Sequence, residues 1–107
     1  MSYKVETIDS FRKEAKKLIK KYPSLKQELA ELGTQLSTNP ITGTPLGKDC
    51  YKIRLAIQSK GKGKSGVARI ITHFYIKAKT VYLLSIYDKS DKENISDSEI
   101  SDLLQDI

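Results

Sequence analysis

The stretch Tyr51-Lys52-Ile53-Arg54-Leu55-Ala56-Ile57 decides how the chain is read. Its strict alternation sets Tyr51, Ile53, Leu55 and Ile57 on one face of a strand and Lys52 and Arg54 on the other. One face makes a core, and the other can hold a polyanion. A turn of lysine and glycine follows, Lys60-Gly61-Lys62-Gly63-Lys64-Ser65-Gly66, and then two more strands, from Val67 to Ile76 and from Val81 to Tyr87, separated by a short turn around Lys77 to Thr80. Strands joined so closely pair antiparallel. Carried through this sheet, the alternation sends Ile70, Phe74, Ile76, Tyr82, Leu84 and Ile86 to the core face, and Arg69, His73, Ser85 and Tyr87 to the opposite one. Lys52, Arg54, Arg69 and Tyr87 then converge from three strands, with Lys62 and Lys64 in the adjoining turn. Like charges gathered in this way cost stability, which points to a bound anion.

Upstream, Tyr3 to Ile8 alternates weakly and reads as a short first strand. Asp9 or Ser10 is placed to cap a helix in which Phe11, Ala15, Leu18, Ile19 and Tyr22 form an apolar stripe. Pro23 ends that helix. Ser24 and Gln27 have the spacing of a capping box for a second, whose stripe is Leu25, Leu29, Leu32 and Leu36. The two make an αα-hairpin. Pro40, Gly43, Pro45 and Gly47 turn Ser37 to Asp49 into a loop. Downstream, Ser96 and Glu99 form another capping box, Ile95 can staple against Ile100, and a short terminal helix carries Ile100, Leu103, Leu104 and Ile107. The expected class is α+β: an N-terminal strand and an αα-hairpin packed on a twisted antiparallel sheet, closed by a short C-terminal helix. At 107 residues, the whole of 1–107 is expected to be one domain.

Composition narrows the function. With 38% apolar and 30% charged residues the chain is globular rather than disordered, and it has no apolar run near the roughly 20 residues that a membrane span needs. No secretion signal is evident, so the cytoplasm is the expected compartment. Cys50 is the sole cysteine, which excludes an internal disulfide and leaves a small apolar filler as its simplest role. The net charge of +6 is unevenly spread. From Lys48 to Arg69, seven basic residues (Lys48, Lys52, Arg54, Lys60, Lys62, Lys64 and Arg69) stand against Asp49 alone, while the tail from Asp88 holds seven carboxylates against Lys89 and Lys92. Cations concentrated in a strand and turn suggest a nucleic acid or an acidic protein as partner. The lysines of the first helix fit a solvated face instead. Gly63-Lys64-Ser65 is not a nucleotide-binding P-loop, because Gln58 stands where the motif needs glycine and a strand follows where it needs a helix.

The residues Tyr51-Lys52-Ile53-Arg54, Gly61-Lys62-Gly63-Lys64-Ser65-Gly66 leading into Ala68-Arg69-Ile70-Ile71, and Tyr82-Leu83-Leu84-Ser85-Ile86-Tyr87-Asp88-Lys89 resemble the RelE/ParE superfamily of toxins from type II toxin–antitoxin systems. Its RelE-like and HigB-like branch is nearest. That resemblance implies a ribosome-dependent mRNA endoribonuclease (an mRNA interferase, and so a hydrolase that inhibits translation) in which the substrate's own 2′-hydroxyl attacks the phosphate. Such an enzyme needs a base, cations on the phosphorane and an acid for the 5′-oxygen, and neither metal nor other cofactor. Arg69 matches the family arginine at the start of the third strand and is assigned to the transition-state phosphate. Lys52 and Arg54 match the basic positions of the second, with Lys52 or a turn lysine as proton acceptor. A lysine serves so only where nearby cations and desolvation weaken its hold on the proton. Lys89 stands where the family often has a basic residue, and Tyr87 would stack on a base or donate a hydrogen bond. Lys60, Lys62, Lys64 and His73 complete the expected RNA contacts. The implied partners are an antitoxin protein, mRNA and the 30S decoding site. Two departures are visible: the tail from Asp97 to Ile107 has no tyrosine where many relatives have one, and a glutamate–histidine pair has no clear equivalent unless His73 serves. Alternatives within reach are a gyrase inhibitor of the ParE kind and a non-catalytic module that binds RNA or docks an antitoxin.

Overall fold

The structure, a computed structural model, describes residues 2–60, 67–88 and 94–107, with the side chain of Lys60 also outside the description. Its elements are β1 (Lys4–Thr7), α1 (Asp9–Lys21), α2 (Leu25–Thr38), β2 (Thr44–Gly47), β3 (Cys50–Ala56), β4 (Val67–Tyr75), β5 (Thr80–Asp88) and α3 (Asp97–Leu104), in chain order. The strands form one sheet in the order β1-β5-β4-β3-β2. Strands β2 to β5 pair antiparallel, and β1 adds a parallel edge on β5, with Val5 opposite Val81. The α+β expectation holds, with a sheet that is mixed rather than wholly antiparallel.

On one face lie α1 and α2. Phe11, Ala15, Leu25, Leu32 and Leu36 from these helices are buried in the same core cluster as Ile53, Ile70, Phe74 and Ile86 from the sheet. Leu25, Leu36 and Ile70 are fully enclosed, and each such burial contributes about 1.5–3 kcal/mol. Tyr3 packs edge-on against Phe74, and its amide donates to the Ser37 carbonyl at the end of α2 (2.7 Å), tying helix to sheet edge.

The opposite face is half covered. α3 lies on it, with Leu104 and Ile107 bordering the same shallow cavity as His73 and Tyr75, Ile100 buried, and Ser101 hydrogen-bonded by Lys48 Nζ. Coverage from both sides explains β5, where Val81, Leu83, Leu84, Ser85, Ile86, Tyr87 and Asp88 are all buried. A strand enclosed on both faces is apolar nearly throughout rather than at alternate positions.

Four expectations are corrected. Between Ile71 and Thr72 the β5 partner jumps from Ser85 to Leu83, so Leu84 is an extra residue, a bulge. One inserted residue flips the side-chain phase beyond it. Val81 and Leu83 therefore share the face of Phe74 and Thr72, and Tyr82 joins His73 opposite; Leu84 stays buried. Ile76, expected in the core, opens the turn Ile76–Ala78 and is 70% exposed. Neither Asp9 nor Ser10 caps α1, which begins after Ile8 in extended backbone, and Ser24 makes no capping box: its Oγ contacts Ser59 and Glu28. The Ser96–Glu99 box is present in full. Finally, the 37–49 loop contains β2, joined to β3 through Lys48 and Asp49, both at positive φ (55° and 58°) as a two-residue primed turn requires.

Candidate nucleic-acid interface

Cross-strand register builds this surface residue by residue. Arg54 on β3 is opposite Arg69 on β4, and Arg69 is opposite Tyr87 on β5, giving one row across three strands. Directly opposed residues place their Cβ atoms roughly 5 Å apart. In the next row Thr44, Lys52, Ile71 and Ser85 stand in line. Lys52 lies two residues from Arg54 on the same strand, hence on the same face and roughly 7 Å along. Three cations from two neighbouring strands thus share one face of the sheet, and α3 reaches the β5 end of Lys52's row, where Ser85, Glu99 and Leu103 border one cavity.

Their electrostatics are unbalanced. Among the described residues no carboxylate forms an ion pair with Lys52, Arg54 or Arg69, although opposed like charges on adjacent strands repel. Arg69 Nη1 is buried and has no hydrogen-bond acceptor among the described residues. A buried charged donor without an acceptor costs more than an ordinary unmade bond, about 1–3 kcal/mol or above.

Tyr87 is in the row but only 3% exposed. Its ring therefore offers no open face to a nucleobase, which corrects the stacking role, and it flanks Arg69 instead. His73 is set apart from Arg69 but not from Lys52: it lies two residues from Ile71, the β4 partner of Lys52, as Arg69 does on the other side. It sits four residues from Arg69 along β4, roughly 13 Å at the rise of a strand. Its Nδ1 is 3.6 Å from Cys50 Sγ, and its ring leans on Tyr75 near the end of α3. Burial, reinforced by Asp49, pushes the Cys50 thiol up from 9.0 to about 11. Lys62, Lys64 and Lys89, with the side chain of Lys60, lie outside the described residues.

Two carboxylates were missed by sequence reading. Glu14 accepts from Ser85 Oγ (3.0 Å), and so reaches from α1 round the β5 edge to the row of Lys52. Asp88, 1% exposed, accepts from Tyr22 Oη at 3.3 Å. Nothing in the spacing flags either one, because both contacts depend on where α1 meets β5.

Solved structures similar to this fold include a double arginine-to-alanine mutant of the E. coli toxin RelE in the free state (19% identity, TM-score 0.67, covering 100% of this chain and 99% of that one). The intact E. coli RelBE toxin–antitoxin complex is similar at 20% identity and TM-score 0.62, over 81% of this chain and 96% of that one. The isolated E. coli RelE toxin matches at 16% identity and TM-score 0.61, over 99% and 100%. In sequence, residues 4–105 match the family described as the RelE toxin of the RelE / RelB toxin-antitoxin system. A match over nearly the entire chain, on a fold shared with these structures, means that the chain belongs to the RelE toxin family.

Proposed function

We propose that this chain is the toxin of a toxin–antitoxin pair, acting in the cytoplasm as a ribosome-dependent endoribonuclease that needs no metal. The observation that carries the reading is the row of Arg54 and Arg69 beside Lys52, with Arg69 Nη1 buried and lacking an acceptor among the described residues. In this mechanism the mRNA backbone crosses the sheet face that carries these cations. Arg69 and Arg54 hold the scissile phosphate, and Lys52 or a turn lysine takes the 2′ proton. The 2′-oxygen bonds to phosphorus, the bond to the 5′-oxygen breaks, that oxygen takes a proton from solvent, and the products are a 2′,3′-cyclic phosphate and a 5′-hydroxyl. Charge gathered on the phosphorane is what the arginines stabilise. Lys89 and the turn lysines Lys60, Lys62 and Lys64 extend the contact to flanking phosphates. The antitoxin is a protein with acidic and apolar residues that covers this face or packs beside it.

A second reading, binding RNA without cutting it, is favoured by one observation: Tyr87, the hydroxyl beside Arg69 that could return a proton to the 5′-oxygen, is buried. Both readings meet the same test. Inducing the wild-type chain in cells should arrest growth and leave codon-spaced cuts in primer extension of mRNA, and Arg69→Ala with Lys52→Ala should do neither while its circular dichroism is unchanged. Cutting by the double variant would remove the site assignment. Arrest without cuts would favour the second reading.

A further inference from the structure

The approach of the 39–43 loop to β3 identifies a residue that sequence motifs do not single out. Gly43 has φ +104°, a region open to glycine and strained for any L side chain. A Cβ built there would lie 2.4 Å from the Lys52 carbonyl oxygen, 2.9 Å from its carbonyl carbon and 3.0 Å from Ile53 Cγ1. The first two are backbone atoms and cannot rotate aside. Any side chain at 43 therefore forces the loop and the β3 backbone at Lys52 apart. On its far side that segment is backed by Ile71, fully buried and opposite Lys52 in register. Thr44, the next residue, is the β2 partner of Lys52, and Thr42 Oγ1 donates to the Asn39 carbonyl (2.8 Å), holding the loop in place.

From this geometry we infer that Gly43 is a positioning residue for Lys52: its missing side chain lets the loop seat directly on the Lys52 peptide and sets that lysine's distance from Arg54 and Arg69. The inference rests on the reading of Lys52 as part of a ribonuclease site. Gly47 is the internal control. It also has positive φ (+88°), yet a Cβ there would meet nothing within 4 Å, so Gly47→Ala carries the backbone strain without the collision.

The experiment measures single-turnover cleavage of ribosome-bound mRNA by the full chain and its Gly43→Ala, Gly47→Ala, Lys52→Ala and Gly43→Ala/Lys52→Ala variants, with amide NMR shifts as the structural readout. Gly43→Ala is expected to slow cleavage on the order of 100-fold, as a displacement of about 1 Å at a reacting group does. Its shift changes should centre on residues 51–54 and 69–71, and Gly47→Ala should stay within a few-fold of the wild type. The decisive result is non-additivity: adding Gly43→Ala to Lys52→Ala should cost nothing more. Full additivity, equal effects of the two glycine variants, or a Gly43→Ala chain that fails to fold would overturn the positioning role. If Lys52→Ala alone leaves cleavage intact, the ribonuclease reading of Lys52 fails, an outcome separate from those three.

Discussion

Arg69 illustrates why register matters more than residue type. An arginine on a strand is ordinarily solvated, and a surface ion pair would be worth under about 1 kcal/mol. Here one guanidinium nitrogen is buried without an acceptor among the described residues, and a second arginine stands opposite. Relieving that repulsion should stabilise the fold: Arg54→Ala is expected to raise the urea midpoint of the free protein slightly while weakening RNA binding, and a drop in the midpoint would show that Arg54 has a structural partner. Cys50 gives a pH prediction. Its thiol is held above its unfolded value of 9.0, at about 11, so the folded state keeps the proton where the unfolded state has lost it. This contribution to stability is complete below pH 9 and disappears as pH rises toward 11. Thermal melts should show a steeper alkaline decline for the wild type than for Cys50→Ala, and identical slopes would contradict the assignment.

At the level of elements, β3 was legible because one of its faces is open, and period-two alternation survives wherever water reaches one side. β5 was not. Its apolar run is enclosed by helices on both sides, and its bulge at Leu84 is defined by the partner strand, so no pattern within Tyr82 to Asp88 announces the change of phase. The same limit hid the burial of Tyr87 and the parallel pairing of β1 on β5, because a contact between distant segments leaves no mark in either local pattern. Among helix starts, the one that followed its motif was Ser96 with Glu99 on α3, where the local sequence acts with little competition from packing. Ser24 instead spends its hydroxyl on Ser59 and Glu28. Ser96→Ala should therefore cost about 1 kcal/mol, the usual worth of such a cap. Hydrogen exchange should show the loss in the amides of α3 first, and uniform loss across the sheet would mean that α3 does not open independently.

For the whole molecule, the separation of charge is the feature that the sequence showed earliest: a basic centre followed by an acidic tail. The fold turns part of that centre into a surface, because antiparallel pairing sets Lys52, Arg54 and Arg69 side by side on β3 and β4. Binding to single-stranded RNA should weaken with salt, and each of Lys52, Arg54 and Arg69 changed to alanine should lower the slope of log affinity against log salt by about 0.7. A slope indifferent to all three would place the RNA elsewhere. The most direct measurement is end-group analysis of mRNA cut on purified ribosomes by the wild type and by Arg69→Ala. The account predicts 2′,3′-cyclic phosphate ends from the wild type and loss of cutting in the variant without loss of fold; uncut mRNA with the wild type, or equal cutting by both, would contradict it.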